Sequence, residues 1–549
     1  MLNNMTLSIL CRKKTNLIFL ALLLISFSSC RTFHEKKSVP EALNYSSEEV
    51  VKIEIERINS YMESEPVRAL WRSSLLGRED VLKRAKKTVE ENFERSFDQG
   101  DFLTAKKYYK ALLAVDPDWA SSKISYKEFE KKVNDDIPGL TSVNDKAPSK
   151  ISDCMNATVT IWVDRGIKVQ NGSGFADIII GSGFFIDKRG YLITNYHVIE
   201  SMVDPKYEGY SRLYIKLLED SNTKIPAKVI GYDSVLDLAL LKVEMTPKYV
   251  FNLGSSNELE LGDKVSAIGT PIGLEGTITS GIISSVDRKL LSLGNVFQID
   301  AAVNSGNSGG PLIDEKLKVQ AIVFAGMLQF QGLNFAIPIE YLRQELPLLY
   351  SHGEIVHPWI SAFGDTKKNG NKKEGLEIQY ILPGGSAFMS GMKAGDVIVS
   401  LDGKKIESLE DFNFQMMSYE TESLLTCSYR TAQGEDKTCL LYLDKRPEHP
   451  GFTVYETDLL SNAMLCLLGM RLLPSSTENR NSYTIDRVIS GSTADDLHFS
   501  SGDEVKIINV AVDQKNEFIY IQLYTKRKKT AFIDIAMGLS ASFDSPYYF

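Results

Sequence analysis

The sequence predicts a multidomain chain with an α-helical N-terminal segment, an all-β middle and two copies of an α+β module. Three observations predict it. Residues 157–346 carry short apolar or alternating runs (ATVTIWV, SGFFI, YLITNYHVI, DLALLKV) separated by Gly- and Asp-bearing turns, without helical periods between them. Residues 48–133 show helical patterning and almost no strand alternation. Finally, ILPGGSAFMSGMKAGDVIVSLDG, starting at Ile381, returns as VISGSTADDLHFSSGDEVKIINV, starting at Val488. The constant shift of 107 residues (488 less 381) aligns Gly384 with Gly491, Ala387 with Ala494 and Gly395-Asp396 with Gly502-Asp503. The Gly-Asp pairs read as tight turns.

A chain of 549 residues exceeds one core, and 43% apolar residues suffice for several. A formal charge of −9 argues against a nucleic-acid partner. The basic clusters at 83–87 and 526–529 read as solvated surface.

At the N-terminus, Arg12-Lys13-Lys14 precede the apolar run LIFLALLLISF at 17–27, then Ser28-Ser29-Cys30. Eleven residues cannot cross a hydrocarbon core of ~30 Å as a helix, so the segment reads as an export signal over 1–29. It is similar to a bacterial lipobox, with Phe27 atypical at its first position. On that reading Cys30 is lipidated and tethers the chain to a membrane on the periplasmic side of the cell envelope. The alternative is an ordinary cleaved signal and a soluble periplasmic protein. Residues 30–47 form a polar tether. The remaining cysteines are Cys154, Cys427, Cys439 and Cys466; Cys427 and Cys439 flank a hairpin turn and read equally as a disulfide or as buried thiols. No CxxC or His/Cys cluster suggests a metal, and no cofactor is expected.

Within 48–134, Gly100-Asp101-Phe102, Ala105, Tyr109, Leu112 and Pro117 are spaced like the second helix of a tetratricopeptide repeat, although 86–99 matches its first helix poorly. A plain helical spacer fits as well. Residues 135–153 read as a linker, 154–347 as the β domain, and 355–445 and 450–549 as the two repeat modules.

The chemistry gathers around NSGNSGGPLID. Gly306-Asn307-Ser308-Gly309-Gly310 satisfies G-x-S-x-G, but an α/β-hydrolase needs its acid and histidine after the serine, and strand–helix alternation around it. The histidines after Ser308, at 352, 357, 449 and 498, all fall in linkers or repeat modules, and the alternation is absent. Upstream, His197 ends an apolar strand after Thr194-Asn195, and Asp237 precedes another. The order His, Asp, Ser is that of chymotrypsin-type barrel proteases. Ser308 needs a base to become nucleophilic, the neutral imidazole of His197 can take and return that proton, and Asp237 would fix the tautomer. The amides of Gly306 and Ser308 would hold the oxyanion.

TNYHVI, DLALLKV, NSGNSGGPLID, GSGFFID, AIGTPIGLEGTITSGIISSV and LNFAIP, followed by the two repeats, resemble the HtrA (Deg) family of PDZ-containing serine proteases. The resemblance implies a double β-barrel protease domain with the triad between the barrels, ATP-independent cleavage of unfolded or misfolded exported polypeptides, and a homotrimer or larger assembly. It implies that the PDZ modules take peptide C-termini on apolar-Gly-apolar loops. The matching residues are Trp359-Ile360-Ser361-Ala362, where Ser361 replaces the glycine, and Leu467-Leu468-Gly469-Met470. Val323, Phe324 and Ala325 are expected to line an apolar pocket for the residue before the scissile bond. Residues 165–181 read as a short Gly-rich connection rather than a long arm. A membrane-tethered chaperone or scaffold is the competing reading.

Overall fold

The structure is a computed structural model that describes residues 47–549, apart from 141–145, 171, 208–210, 271–275, 292, 305, 327–332, 352, 476–480 and 527–533. The signal segment, Cys30 and most of the tether therefore lie outside the described residues, as does the loop at 327–332.

The alternation in the middle of the chain folds into two closed six-stranded barrels. The first contains β1 (Thr158–Gln170), β2 (Ser173–Asp187), β3 (Tyr191–Thr194), β4 (Arg212–Leu217), β5 (Asp220–Asp233) and β6 (Leu238–Val243). They run in the order β5-β4-β1-β2-β3-β6, and β6 pairs back to β5. Val159, Ile161 and Val163 alternate along β1 and are fully buried, as a period of two requires. The second barrel comprises β7 (Lys264–Gly269), β8 (Thr277–Leu291), β9 (Gly294–Ile299), β10 (Pro311–Ile313), β11 (Val319–Gly326) and β12 (Asn334–Pro338), in the order β10-β11-β12-β9-β8-β7. Closure leaves neither barrel a free edge.

Residues 165–181 differ from their sequence reading. β1 and β2 stay paired from Thr158↔Phe184 out to Gln170↔Ser173, so this stretch is a projecting hairpin and not a short connection. Glycine-rich sequence hid the strand signal. Its outer part exposes Ile167 (76%), Val169 (69%) and Phe175 (57%), which no barrel core covers.

The N-terminal helices span Glu48–Ser64, Pro66–Leu76, Glu79–Asp98, Phe102–Val115 and Tyr126–Asp136. Asp101 caps the fourth by accepting from the Thr104 amide. Ala105, Tyr109 and Leu112 are buried there, and Tyr109 meets Phe93 edge-on at 5.3 Å. This unit docks on the first repeat module. Trp71 stacks on Tyr442 at 5.5 Å and donates from Nε1 to the Leu440 carbonyl (3.0 Å), while Arg68 pairs with Asp444.

The repeat is visible atom by atom. Helices Ser386–Met389 and Thr493–Asp496 lie 107 residues apart (493 less 386), and Ala387 and Ala494 are fully buried. Gly395 donates to the Ile378 carbonyl and Gly502 to that of Ile485; both glycines have φ near +90° (96° and 87°). Asp396 and Asp503 each accept an amide three residues upstream at 2.9 Å. The first module's sheet runs Ala362–Asn369, Lys372–Ile381, Val397–Leu401, Leu424–Arg430, Asp436–Tyr442, with a helix at Leu409–Met416. The second has five strands: at the shift of 107, Glu504–Asp513 starts where Val397–Leu401 does, and the strand Phe518–Lys526 falls where the first module has that helix. Cys427 and Cys439 face each other across paired strands as free thiols.

One buried ion pair ties the first helices together. Glu54 (1% exposed) accepts from Arg72 Nε at 2.5 Å and from its Nη2 at 2.8 Å. Arg72→Ala should therefore lower stability by about 3 kcal/mol in denaturant unfolding, because it leaves a buried carboxylate with only Arg57 beside it.

Candidate active site

The histidine is carried by a helix and not by the strand end its sequence suggests. β3 stops at Thr194, and His197 is the second residue of the helix Tyr196–Val203. Asn195, fully buried, donates from Nδ2 to the Asp237 carbonyl at 2.8 Å, holding the two segments together. The Asp237 carboxylate accepts twice from His197, from the backbone amide at 2.8 Å and from ring Nδ1 at 2.7 Å. With the proton on Nδ1, Nε2 is the basic nitrogen, and the ring is 46% exposed. Asp237 itself sits at φ +56°, a left-handed conformation that Asp tolerates better than most residues.

Charge follows this geometry. Burial lowers the imidazole pKa of His197, but the hydrogen bond and charge of Asp237 outweigh it, and the net shift is upward. Burial pushes the Asp237 carboxyl up despite His197.

Ser308 enters from the second barrel, in the loop between β9 and β10. The amides of Asn307, Gly309 and Gly310 are spent on the carbonyls of Asn304, Val323 and Asn307. Among the described residues, those of Gly306 and Ser308 have no acceptor and remain available for a ligand oxygen. Gly306 adopts φ +103° and Gly309 φ +84°. A Cβ on Gly309 would lie 2.2 Å from the Ser182 carbonyl and 3.0 Å from the Asn195 amide, so the serine loop presses directly against the segment leading to His197. The Ser308 hydroxyl donates to the Phe324 carbonyl at 3.2 Å rather than to the His197 ring.

Ser182 joins the barrels here. It lies on β2, fully buried, and donates from its amide to the Ser308 carbonyl (2.8 Å) and from Oγ to the Gly306 carbonyl (2.6 Å). Its Oγ accepts from the Thr270 amide at 3.0 Å, and its own carbonyl accepts from Thr194 Oγ1 at 2.7 Å. The GSG of GSGFFID was the available signal for this residue. The neighbouring Gly181 leaves room that a Cβ would take from Val198, at 2.7 Å.

A second group that sequence reasoning missed supports the aspartate. Asp233, four residues before Asp237, is fully buried and accepts the amides of Val235 and Leu236 and a bond to His357 Nε2 at 2.9 Å. Burial raises the pKa of Asp233, but the charge and hydrogen bond of His357 prevail and lower it. Glu345 completes the cluster; burial, then the charge of Asp233, push its carboxyl well above the ordinary range. These three are the group among the described residues whose donors could converge on a metal. Asp233 is already engaged by His357 and two backbone amides, and burial beside it favours the neutral form of Glu345.

The remaining candidates are scattered. Val323 is fully buried in the core of the second barrel, while Phe324 is half-buried and turns its carbonyl to Ser308. Ala325 lies on β11, and its side chain is outside the described residues. Trp359, Ile360, Ser361 and Ala362 are buried at the entry of the first module's edge strand. Ser361 takes φ +63°, the conformation the missing glycine would have had. Leu467 and Leu468 end a helix, Gly469 turns at φ +80°, and Met470 opens a strand.

Comparison with known proteins follows the same divisions. Residues 181–322 match the trypsin-like peptidase domain, 362–426 the PDZ domain, 451–543 the TP0546 family PDZ domain, and 49–133 a domain of unknown function, DUF8517. A probable periplasmic serine endoprotease DegP-like of Hahella chejuensis is 36% identical over 41% of this chain and 49% of its own. One of Marinomonas sp. is 28% identical over 60% of this chain and 71% of its own. The chain is similar to HtrA/DegP-like, trypsin-like serine proteases with PDZ domains. The chain spans about half the length of several curated HtrA/DegP-like relatives that it matches. Among solved structures, HtrA-type protease AlgW with decapeptide aligns over 54% of this chain and 98% of its own, with 24% identity and a TM-score of 0.44.

Removing the Ser182 hydroxyl should leave the buried Gly306 carbonyl and Thr270 amide without partners. Ser182→Ala is expected to cost about 1–3 kcal/mol in denaturant unfolding.

Proposed function

We propose that this chain is an ATP-independent serine endopeptidase of the cell envelope that cleaves unfolded or misfolded exported polypeptides. The observation that carries the reading is the doubly bonded Asp237–His197 pair, set beside a serine loop with two unspent amides. The DegP-like relatives, named periplasmic serine endoproteases, support the compartment and the endopeptidase activity.

In this reading Ser308 rotates away from the Phe324 carbonyl and gives its proton to His197 Nε2 as its Oγ attacks the scissile carbonyl. Asp237 holds the Nδ1 tautomer and stabilises the imidazolium. The amides of Gly306 and Ser308 receive the oxyanion, each such donor contributing about 2.7–4 kcal/mol. The imidazolium protonates the leaving amine, and water then releases the acyl group by the same route. Phe324, with Ala325 beside it, would border the apolar pocket. Lipidation at Cys30 would keep the enzyme on the membrane. The exposed Ile167, Val169 and Phe175 of the β1–β2 hairpin support assembly into a trimer or larger oligomer. The PDZ modules would bind peptide segments, the first through Trp359–Ala362 and the strand that follows.

Hydrolysis of quenched fluorescent casein tests this reading. Ser308→Ala should abolish turnover, and Asp237→Asn should lower kcat about 10⁴-fold through the wrong tautomer. Casein cleavage unchanged by Ser308→Ala would remove the proposal, and no cleavage by the folded parent would favour the scaffold.

The pH profile is a separate prediction. His197 must be neutral to act as base, and its pKa is raised, so kcat/KM should fall toward acid through a midpoint above the ordinary imidazole value of 6.5. A midpoint below 6.5 would contradict the coupling to Asp237.

A further inference from the structure

The first PDZ module has a groove between its edge strand, Ala362–Asn369, and the helix Leu409–Met416, and the groove is full. Residues 547–549, Tyr-Tyr-Phe, lie along the edge strand as an added antiparallel strand, with Phe363 paired to Tyr548. The Ala362 amide donates to the Phe549 carbonyl (2.8 Å), the Phe549 amide donates back to the Ala362 carbonyl (3.0 Å), and the Gly364 amide donates to the Tyr547 carbonyl (3.1 Å). The Phe549 ring, 3% exposed, enters the module's own core and meets Phe412 of the groove helix at 5.0 Å. Asn413 of that helix donates from Nδ2 to the Pro546 carbonyl at 3.3 Å. Just upstream, Asp544 accepts two bonds from the buried Arg446 at 2.6 and 3.1 Å, and Tyr548 is buried in the core of the second module.

Main-chain bonds to a sheet edge combined with a pocket for one side chain are how such grooves take a peptide. We propose that the first PDZ groove is a self-occupied peptide site: Tyr547-Tyr548-Phe549 is its resident ligand, and a polypeptide segment of the same aromatic chemistry enters only by displacing it. The tether makes the resident a strong competitor. A ligand held on a short linker acts at an effective concentration of about millimolar, so a free segment of equal intrinsic affinity binds far more weakly than the groove alone would allow. Displacement would also be felt at the second barrel. Tyr341 lies 6.2 Å from Phe414 of the groove helix, Lys289 on β8 pairs with Glu410 at 3.8 Å, and the same ammonium lies 5.3 Å from the Tyr547 ring. Only this last consequence, for turnover, rests on the peptidase reading.

Binding of a fluorescein-labelled Asp-Ser-Pro-Tyr-Tyr-Phe peptide to the full chain, read by anisotropy on the Ser308→Ala background, tests occupancy without turnover. Phe549→Ala should bind the peptide at least tenfold more tightly than the parent. In that variant, hydrogen exchange across residues 360–366 should speed up and return to the parent rate when the peptide saturates the groove. Adding Phe412→Ala to it should abolish the gain. Equal affinity in parent and variant, no binding to either, or exchange that the peptide does not restore would each overturn the proposal.

Discussion

The cleft depends on one buried serine. Two barrels built from separate stretches of chain can present a histidine and a serine to each other only if something fixes their relative position. Ser182 does so by engaging Ser308 and Gly306 of one barrel while its carbonyl holds Thr194 of the other. Each bond lies in a dry environment, where an unmade partner is costly, so the contact tolerates little displacement. Gly309 follows from the same constraint, because a Cβ there would lie 2.2 Å from the Ser182 carbonyl. Among the described residues, the amides of Gly306 and Ser308 have no acceptor, whereas those of Asn307, Gly309 and Gly310 are committed.

The rest of the molecule adds layers around that joint. The loop presenting Asp237 is braced by Asp233, and Asp233 by His357, which lies in the connection to the first PDZ module. That connection is therefore a packed element and not a free linker. The module itself has contacts at both sheet edges. The N-terminal helices shield the Asp436–Tyr442 side through Trp71, and residues 547–549 pair with the other. These contacts cover part of the edge backbone that would otherwise recruit foreign strands, and they link the helical unit, both modules and the second barrel.

The sequence revealed what local patterning encodes. Alternating strands, the His-Asp-Ser order and the repeated Gly-Asp turns are readable because each is written in a few adjacent residues. The matched helices at Ser386 and Thr493 and the matched bonds from Gly395 and Gly502 show how faithfully such turns carry over. Contacts between distant residues left no such mark. His357 looked like a linker residue because its partner, Asp233, is 124 positions away, and Phe549 gave no sign of entering a groove built around residue 362. Patterning also misled where glycine was dense. Residues 165–181 read as a short Gly-rich connection, yet they pair as a hairpin with one irregularity between Asp164 and Ile167, because strand pairing is set by the partner as much as by intrinsic preference. Ser361 looked like a departure from the glycine it replaces, but its backbone adopts the left-handed conformation at a cost of roughly 1–2 kcal/mol, and the loop keeps its shape.

The central claim is that Ser308 is a nucleophile activated through His197 by Asp237. Covalent labelling with a fluorophosphonate probe, located by peptide mass spectrometry, tests it most directly, because attack on phosphorus needs an activated hydroxyl but no substrate pocket. The account predicts a single phosphonylated residue, Ser308, in the parent and little labelling in a His197→Ala variant. Labelling that survives loss of the histidine, or that falls on another serine, would contradict it.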